Sequence, residues 1–396
     1  MDPGLNPYTP NAGAKPPALV GREHELSAFD VLLARLQRGR AEQSLLVTGL
    51  RGVGKTVLLG AFQERALSAG WISVETEITR TTTFADRMAH LTKRALLEMA
   101  PKQRWKERAR RAGRILQSFS LTISTEGSIT GSLDLEPFEG RGDSGDLGED
   151  LTDLLVALGE AAQDHERGVV FLMDEIQFLA AEPFEALIAA IHKTVQRQLP
   201  ITLVGAGLPQ LPRLAGEAKS YAERLFRFPR LGPLDERAAT DALVDPALAL
   251  GVEIDTRAVR AVLEYTQGYP YFIQEYGRVL WDRADRSPIG PIEAVEAQAI
   301  VEAKLDDDFF GARLERATDA EVTYLRAMAQ LGGEPQRTSA VAEQMGRPVQ
   351  RVAETRARLI DKGLLYAPKR GLTAFTVPQF DRFLRRTFPQ GSSNLP

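Results

Sequence analysis

The sequence lacks cysteine entirely, although it is 396 residues long. Disulfide bonds and catalysis by a thiolate are therefore excluded. Histidine is scarce as well, and no two histidines have the i, i+4 spacing with which one helix binds zinc. The four histidines are isolated from one another in sequence: His24, His90, His165 and His192.

Long apolar runs are also absent, since no stretch approaches the roughly 18–20 residues that a membrane-spanning helix needs. Residues 1–17 contain several prolines but neither a basic start nor an apolar segment, which argues against a signal peptide. We predict that residues 1–17 and 388–396 form flexible tails. A cytoplasmic protein with no membrane partner is the expectation.

Charge is distributed unevenly, although the net charge is only −4. Segment 101–114 carries seven basic residues, one glutamate and Trp105. It is interpreted either as a nucleic-acid patch or as the solvated face of a helix. From Arg316 onward, thirteen basic residues against seven acidic ones give a local net charge of +6. A basic C-terminal module permits nucleic-acid binding without proving it.

Strand and helix patterns alternate in the first half of the chain. A helical periodicity over residues 23–39 precedes the apolar strand Ser44–Thr48, a helix from Lys55 and a second strand, Trp71–Glu75. This order predicts a βαβ unit and a parallel sheet. Further apolar strands are predicted at 169–175 and 201–207, buried under helices on both faces.

Residues 118–136 interrupt this α/β pattern. Apolar residues alternate with polar ones before and after Gly127, which predicts an inserted β-hairpin. The alternating residues are Phe119, Leu121 and Ile123 on one arm and Ile129, Leu133 and Leu135 on the other. Beyond Leu234 only helices are predicted until about residue 310.

The segment "GLRGVGKT" (49–56) matches the phosphate-binding pattern G-x-x-x-x-G-K-[ST]. Its glycines let the backbone fold around an anion, and the helix that begins at Lys55 presents its positive end to the phosphates. The alternative is a glycine turn followed by an incidental Lys-Thr. The predicted nucleotide-binding residues here are Gly49, Arg51, Gly52, Val53, Gly54, Lys55, Thr56 and Val57.

Two acids end the strand "VVFLMDE" (169–175). In P-loop ATPases the first acid binds the Mg²⁺ shell and the second polarises the attacking water. Asp174 and Thr56 are thus predicted metal ligands, while Glu175 and Lys55 are predicted catalytic residues. Since 119 residues separate Lys55 from Asp174 and two βαβ steps need only ~60, inserted material is required.

The loop and three further segments together resemble AAA+-type P-loop ATPases: "ALVGREHELSAFDVLL" (18–33), "LMDEIQFL" (172–179) and "TQGYPYFIQEYG" (266–277). The chain is similar to replication-initiator (origin-recognition-like) ATPases, archaeal ATPases and STAND switch ATPases. The resemblance implies an α/β fold, a three-layer αβα P-loop NTPase with a parallel sheet, followed by an all-α lid and a winged helix. It also implies ATP or ADP and Mg²⁺ as cofactors.

The resemblance assigns further residues to the nucleotide. Val20, Gly21 and Arg22 are expected near the adenine, and Gly268 and Pro270 belong to a lid motif that closes over the nucleotide. The implied domains are a core over 18–232 with an insertion at 101–150, a lid over 233–312 and a winged helix over 313–387.

Two departures from AAA+ enzymes favour a slow switch. Gly205–Gly207 stand where a polar sensor residue is usual, and Gly-Tyr-Pro stands where many lids carry an arginine. Arg224 and Arg227 are candidate arginine fingers, of which Arg224 is the predicted catalytic residue. The alternative is that both are surface arginines beside the fifth strand.

The C-terminal module has a helix–turn–helix pattern followed by a hairpin. Arg351 and Arg358 are predicted on the outer face of the second helix, with Thr355 and Glu354, and Lys369 and Arg370 at the hairpin tip. These basic residues are candidates for contacting double-stranded DNA. Alternatively, the module packs on the ATPase or binds protein, as in STAND proteins, and Glu354 argues mildly against DNA.

The sequence therefore predicts an ATP-hydrolysing AAA+-like switch whose nucleotide state repositions a lid and a winged helix, with DNA as a candidate partner. The alternative is a STAND-type signalling or scaffold ATPase with slow or no turnover. Formation of a homo-oligomer or of a complex with another protein stays open in both interpretations.

Overall fold

A parallel β-sheet organises the first half of the chain in the computed structural model, which describes residues 1–11, 13–79, 83–123, 133 and 135–389. Its strands are β1 (Ser44–Gly49), β2 (Ile72–Glu77), β3 (Val169–Asp174), β4 (Ile201–Gly207), β5 (Phe226–Arg227) and β6 (Arg230–Leu231). They lie in the order β2-β3-β4-β1-β5, and β6 also pairs with β1. Every pairing is parallel, so the carboxyl ends of β1 and β3 meet at one edge, with β4 between them.

Helices cover both faces of this sheet. One face packs against α1 (Glu23–Gln37) and α2 (Lys55–Ser68). The opposite face packs against α3 (Phe84–Met99), α4 (Glu107–Ile123), α5 (Leu147–Asp164), α6 (Ala181–Gln196) and α7 (Leu211–Ala218). Short α8 (Ala222–Leu225) precedes β5. Leu45 and Val47 of β1 enter one core and Leu46 enters the other, which confirms the predicted three-layer α/β architecture.

The predicted β-hairpin is wrong on its first arm. Phe119 and Leu121 belong to α4, whose buried residues include Ile115, Leu116 and Phe119, at helical spacing. The buried face of α4 packs against α3 and α5. This packing determines the structure more strongly than the short alternation of apolar and polar residues does. On the second arm, Gly127 and Ile129 lie outside the described residues, and Leu133 and Leu135 are not in a strand.

Helices follow the sheet, as predicted, and we call this region the lid after its predicted role: α9 (Glu236–Leu248), α10 (Thr256–Thr266), α11 (Pro270–Arg283) and α12 (Pro291–Lys304). A π-helical turn, Leu305–Gly311, and α13 (Ala312–Leu314) lead out of it. Among the residues described, no helix is both long enough and apolar enough to cross a membrane.

The C-terminal region contains α14 (Asp319–Gln330), β7 (Gln336–Arg337), α15 (Thr338–Gln344), α16 (Val349–Asp361), β8 (Leu365–Tyr366), β9 (Leu372–Phe375) and α17 (Phe380–Thr387). The strands form an antiparallel sheet in the order β7-β9-β8, with Lys369 and Arg370 between β8 and β9. The predicted helix–helix–hairpin order is therefore present. Thr355, expected on the outer face of α16, is buried instead.

The N-terminal segment packs against the lid. Tyr8 is only 4% exposed, and its hydroxyl donates to the carbonyl oxygen of Leu243. Its ring fills the space left by Gly277 of α11, where a β-carbon would lie 2.5 Å from it. The indole N–H of Trp281 donates to the Asp2 carbonyl oxygen over 3.0 Å. The predicted flexible tail is thus wrong for the described part of residues 1–17, because the buried ring of Tyr8 and the hydrogen bond at Asp2 both anchor it.

The carboxyl end of β1 is closely packed against β6. A β-carbon on Gly49 would lie 2.8 Å from the carbonyl oxygen of Leu231 and 2.8 Å from Val53 Cγ2. Distances this short cannot be accommodated without movement of the backbone. Gly60, in the middle of α2, has no neighbouring atom within 4 Å of the equivalent position.

We therefore expect Gly49→Ala to destabilise the protein by about 1–3 kcal/mol, because the added methyl group overpacks the β1–β6 junction. Gly60→Ala is the matched control on the adjoining helix, where alanine should stabilise by about 0.5–1 kcal/mol. Thermal melting of both variants tests this. A melting temperature of Gly49→Ala equal to that of the parent would show that the junction tolerates a side chain.

Candidate functional site

The loop between β1 and α2 has the backbone geometry of an anion cradle. Gly52 (φ 84°) and Gly54 (φ 90°) lie in the left-handed region that favours glycine. Gly54 directly precedes α2, so the unpaired N–H groups of the first helical turn face the loop. This turn provides a nest of N–H donors at the positive end of a helix.

Lys55 is buried at the base of this loop. Its Nζ donates to the carbonyl oxygens of Gly49 (3.1 Å) and Leu50 (3.0 Å). Burial lowers the pKa of Lys55, while the charges of Glu175 and Asp174 act in the opposite direction. The loop thus holds a desolvated cation close to two carboxylates.

The carboxyl end of β3 reaches the start of α2. The Thr56 hydroxyl donates to Asp174 Oδ2 over 2.5 Å, although the two residues are 118 positions apart in sequence. The other carboxylate oxygen, Oδ1, accepts the backbone N–H of Glu175 over 2.8 Å. A hydroxyl and a carboxylate oxygen side by side are the donor set that suits Mg²⁺, so these two residues fit the expected metal.

Glu175 is held from two sides. Its backbone is left-handed (φ 53°), an uncommon and costly conformation for a residue other than glycine. Arg51 Nη1 lies 3.5 Å from Oε1, and Gln177 Nε2 donates to Oε2 over 2.5 Å. Gln177 also accepts the N–H of Leu208 (3.1 Å), which links Glu175 to the end of β4. The sequence analysis missed Gln177.

The end of β4 is glycine-rich for a packing reason. A β-carbon on Gly205 would lie 2.7 Å from Leu46 Cδ2, and one on Gly207 would lie 2.6 Å from Gln177 Oε1. A polar sensor side chain at these positions would collide with the sheet or with Gln177. In this chain the polar group at the end of β4 is therefore supplied by Gln177.

Arg22 stabilises the loop from the side of α1. It is buried, and its Nη2 donates to the carbonyl oxygens of Val53 (3.2 Å) and Gly232 (2.9 Å). Burial lowers its pKa, an effect opposed by the charges of Glu25 and Glu23. The guanidinium of Arg22 thus joins the loop to the start of the lid.

The lid motif contributes one structural residue and one residue of the cavity wall. Gly268 (φ 72°) accepts the N–H of Leu234 over 2.8 Å, and a β-carbon on it would lie 2.4 Å from the Leu234 carbonyl oxygen. Pro270, the first residue of α11, lines the cavity beside the loop. Gly21 (φ 68°) abuts Ala238 and, like Gly268, shapes the backbone.

A cavity of about 620 Å³ brings most of the predicted residues together, a volume that suits a small-molecule ligand. The predicted residues on its wall are Val20, Arg22, Arg51, Gly52, Val53, Gly54, Lys55, Thr56, Val57, Asp174, Glu175 and Pro270. Residues that the sequence analysis missed also line it: Thr9, Pro10, Asn11, Gly13 and Ala14 of the N-terminal segment, Tyr271 and Gln274 of α11, and Asp308, Phe309 and Arg313.

The remaining predicted residues lie elsewhere. Arg224 and Arg227 are exposed beside the start of β1, where β5 pairs with Ser44 and Leu45, so they lie at the strand end opposite the loop. Arg351, Arg358, Lys369 and Arg370 are exposed on the C-terminal region, outside the cavity wall. Arg358 Nε lies 3.6 Å from Glu321 Oε1.

The basic segment 101–114 has local partners. Trp105 is 3% exposed, and its indole N–H donates to the Ala100 carbonyl oxygen over 2.7 Å. Arg108 and Arg111 each lie 3.9 Å from a carboxylate of α5. These contacts favour the solvated face of a helix, because the tryptophan is not available to stack on a base.

Comparisons with known proteins agree with this geometry. The family model described as the AAA ATPase domain matches residues 18–204, and one described as a domain of unknown function matches residues 307–384. No curated protein matches the sequence.

The comparison with solved structures gives matches that span nearly the whole chain. A Walker-type ATPase of Pyrococcus abyssi has a TM-score of 0.56 at 17% identity, over 93% of this chain and 96% of that chain. The Orc1 protein of Aeropyrum pernix in complex with DNA has a TM-score of 0.47 at 17% identity, over 94% of each chain. A RuvB variant of Thermotoga maritima has a TM-score of 0.48 at 17% identity, over 95% of this chain and 99% of that chain.

At such low identity the Pyrococcus abyssi structure supports the fold alone, and the family assignment rests on the match at residues 18–204. That match covers β1, the glycine loop and the acidic end of β3, where Thr56 and Asp174 meet. Residues 18–204 therefore match an AAA ATPase domain, and the geometry of the glycine loop and of the β3 end agrees with that match.

Proposed function

We propose that the protein binds ATP with Mg²⁺ and hydrolyses it slowly, and that the nucleotide state repositions the lid and a winged-helix domain at the C-terminus. The observation that carries this proposal is the meeting of Thr56 with Asp174 beside the buried Lys55, at the foot of a left-handed glycine turn. A nest of N–H donors surrounded by a cation, a hydroxyl and a carboxylate is the set of groups that binds the phosphates and the Mg²⁺ of a nucleotide.

Different groups of the loop would bind the phosphates and the metal. The N–H groups from Gly52 to Thr56 point toward the ligand, and Lys55 Nζ exchanges its carbonyl partners for phosphate oxygens. Thr56 and Asp174 would hold the metal. When bound, Mg²⁺ neutralises charge that develops on the phosphate oxygens. Val20, Pro270 and the N-terminal segment then enclose the base and ribose.

Glu175 is proposed as the residue that orients the attacking water and accepts its proton. Both of its oxygens already have partners, Arg51 on Oε1 and Gln177 on Oε2. These contacts fix the orientation of the carboxylate, whose remaining lone pairs can still accept a proton, and Arg51, at 3.5 Å, holds the looser contact. This restraint supports slow turnover, which leaves the STAND-type signalling or scaffold ATPase as the alternative.

Two direct hydrogen bonds support coupling between the loop and the other domains. The N–H of Tyr271 in α11 donates to the Gly52 carbonyl oxygen (3.3 Å), and the N–H of Arg51 donates to the carbonyl oxygen of Thr376 in the C-terminal region (3.0 Å). A change in the loop on binding phosphates would alter both contacts. We propose that this is how the lid and the winged helix respond to the nucleotide.

DNA binding by the winged helix is a second proposal, favoured by the exposure of its basic residues. Arg351 on α16 and Lys369 and Arg370 between β8 and β9 are all exposed. A helix and a hairpin tip with basic residues suit a major groove and the adjacent backbone. Arg358 is a weaker candidate, since Glu321 partly neutralises it.

Replacing Lys55 with alanine should weaken ATP binding by about 100-fold, because the loop loses its charge-assisted hydrogen bonds to phosphate. Lys193→Ala, an exposed lysine on α6, is the matched control and should bind ATP as the parent does. Calorimetric titration with ATP and Mg²⁺ measures both variants. Parental affinity in a folded Lys55→Ala variant would refute the assignment of the loop.

Glu175→Gln should reduce ATP turnover by about 100-fold or more while leaving ATP affinity within about 3-fold, because the amide cannot accept the proton of the water. Glu182→Gln, at an exposed position of α6, serves as the control. Phosphate release under single-turnover conditions is the measurement. If Glu175→Gln hydrolyses ATP at the parental rate, another group acts as the base.

Charge reversal by Arg351→Glu together with Arg370→Glu should weaken binding to duplex DNA and make the salt dependence shallower, by roughly 0.9 in slope per lost phosphate contact. Gel-shift titrations at several salt concentrations measure this. Arg110→Glu, in the basic segment 101–114, is the control and should bind DNA as the parent does. Absence of binding by the parent at low salt would favour a protein-interaction role for this domain.

A further inference from the structure

The region matched as a domain of unknown function, residues 307–384, takes part in the nucleotide cavity. Three of its first residues, Asp308, Phe309 and Arg313, lie on the cavity wall together with the glycine loop. The ATPase family match ends at residue 204, so these residues come from outside the matched ATPase domain. The question is what this region contributes to the site.

Arg313 is positioned by a continuous stack of rings that reaches the loop. Its guanidinium carbon lies 4.0 Å from the centre of the Phe309 ring, and Nη1 donates to the Phe309 carbonyl oxygen. Phe309 stacks on Tyr271, with 4.8 Å between ring centres. Tyr271 in turn lies against Gly52, since a β-carbon there would be 3.3 Å from Tyr271 Cβ. The stack therefore presents a cation to the loop from the side of the C-terminal region.

This cation forms no ion pair with any of the described residues. Burial lowers the pKa of Arg313 to about 10, and the nearby charges of Arg51 and Arg316 lower it as well. Among the described residues, none of the ion pairs includes Arg313, and its hydrogen bond goes to a neutral carbonyl. Because desolvation and repulsion both disfavour the charged form, an anion between Arg313, Arg51 and Lys55 would relieve both costs.

The same region touches the loop a second time. The Arg51 N–H donates to the Thr376 carbonyl oxygen over 3.0 Å, and a β-carbon on Gly363 would lie 3.2 Å from Arg51 Nη2. The hydroxyl of Thr376 donates to the Gly363 carbonyl oxygen over 2.8 Å, which holds these two contact points together. A movement of Arg51 toward a phosphate would therefore change its contacts with both Thr376 and Gly363.

We propose that residues 307–384 form a sensor of the nucleotide's phosphates, in which Arg313 contacts the β- or γ-phosphate of a nucleotide bound to the same chain. This inference rests on the proposed binding of ATP and adds the residue, Arg313, that responds to the phosphates of the bound nucleotide. Bound di- or triphosphate draws Arg313 and Arg51 together, whereas the two cations repel each other when no phosphate lies between them. Docking of the C-terminal region on the loop is thus stronger with nucleotide than without it.

Arg313→Met tests the proposal, because methionine keeps apolar contact with Phe309 and removes the charge. We expect the affinity for ATP and ADP to fall about 10- to 100-fold, as for loss of a charge-assisted hydrogen bond, and the affinity for AMP to stay within about 3-fold. Arg313→Lys should recover part of the loss. Arg316→Met, which removes an exposed cation three residues away, is the matched control. Competition against a fluorescent ATP analogue measures all of these affinities.

Hydrogen exchange supplies a readout that a purely structural role would not change. In the parent, ATP should slow exchange of the backbone amides at 363–376, and in Arg313→Met it should not. If the affinities of Arg313→Met for ATP, ADP and AMP all fall equally and its melting temperature without nucleotide is lower than the parent's, Arg313 has a structural role and the proposal is overturned.

The remaining outcomes separate this inference from the proposed function. Parental ATP affinity in Arg313→Met, combined with loss of ATP binding in Lys55→Ala, would overturn the sensor and leave ATP binding intact. Failure of the parent protein to bind ATP would overturn both. Selective loss of ATP and ADP binding with partial rescue by Arg313→Lys would establish the phosphate contact.

Discussion

The hydrogen bond between the Thr56 hydroxyl and Asp174 is the contact on which the rest of the site depends. It exists because β1 and β3 run in parallel on either side of β4, so that their carboxyl ends open at the same edge of the sheet. The left-handed turn at Gly54 then starts α2 directly above that edge. Displacement of either strand end would separate the hydroxyl from the carboxylate and the loop from Glu175.

Around this contact, two buried or half-buried cations have no ion pair among the described residues, and a third holds its carboxylate loosely. Lys55 donates only to neutral carbonyl oxygens, Arg51 holds Glu175 at 3.5 Å, and Arg313 stacks on a phenylalanine. Such an arrangement costs free energy in the absence of an anion, since desolvated like charges repel one another. Under the proposed function, an anionic ligand would contribute to the association of three regions of the chain: the loop, the lid and the C-terminal region.

Sequence reasoning predicted the features that depend on local pattern and missed those that depend on distant packing. Glycine spacing located the loop, and an apolar run followed by two acids located the end of β3. Tyr8 was missed because its role follows from the gap at Gly277 in α11, far away in sequence. The hairpin was predicted wrongly because a short alternation over 118–123 could not reveal that α3 and α5 would bury Phe119 on a helix.

By itself, the sequence determined the α/β architecture, the phosphate-binding loop and the acidic strand end, because each requires particular residue types at fixed local spacing. Only the tertiary structure decided which other groups face the cavity: Gln177 at Glu175, the N-terminal segment, and Arg313 from the region after the lid. Their positions follow from the pairing of parallel strands and the stacking of aromatic rings between domains. Gln177 lies only two positions from Glu175, but the N-terminal segment and Arg313 reach the cavity through contacts between residues far apart in sequence, which no local pattern encodes.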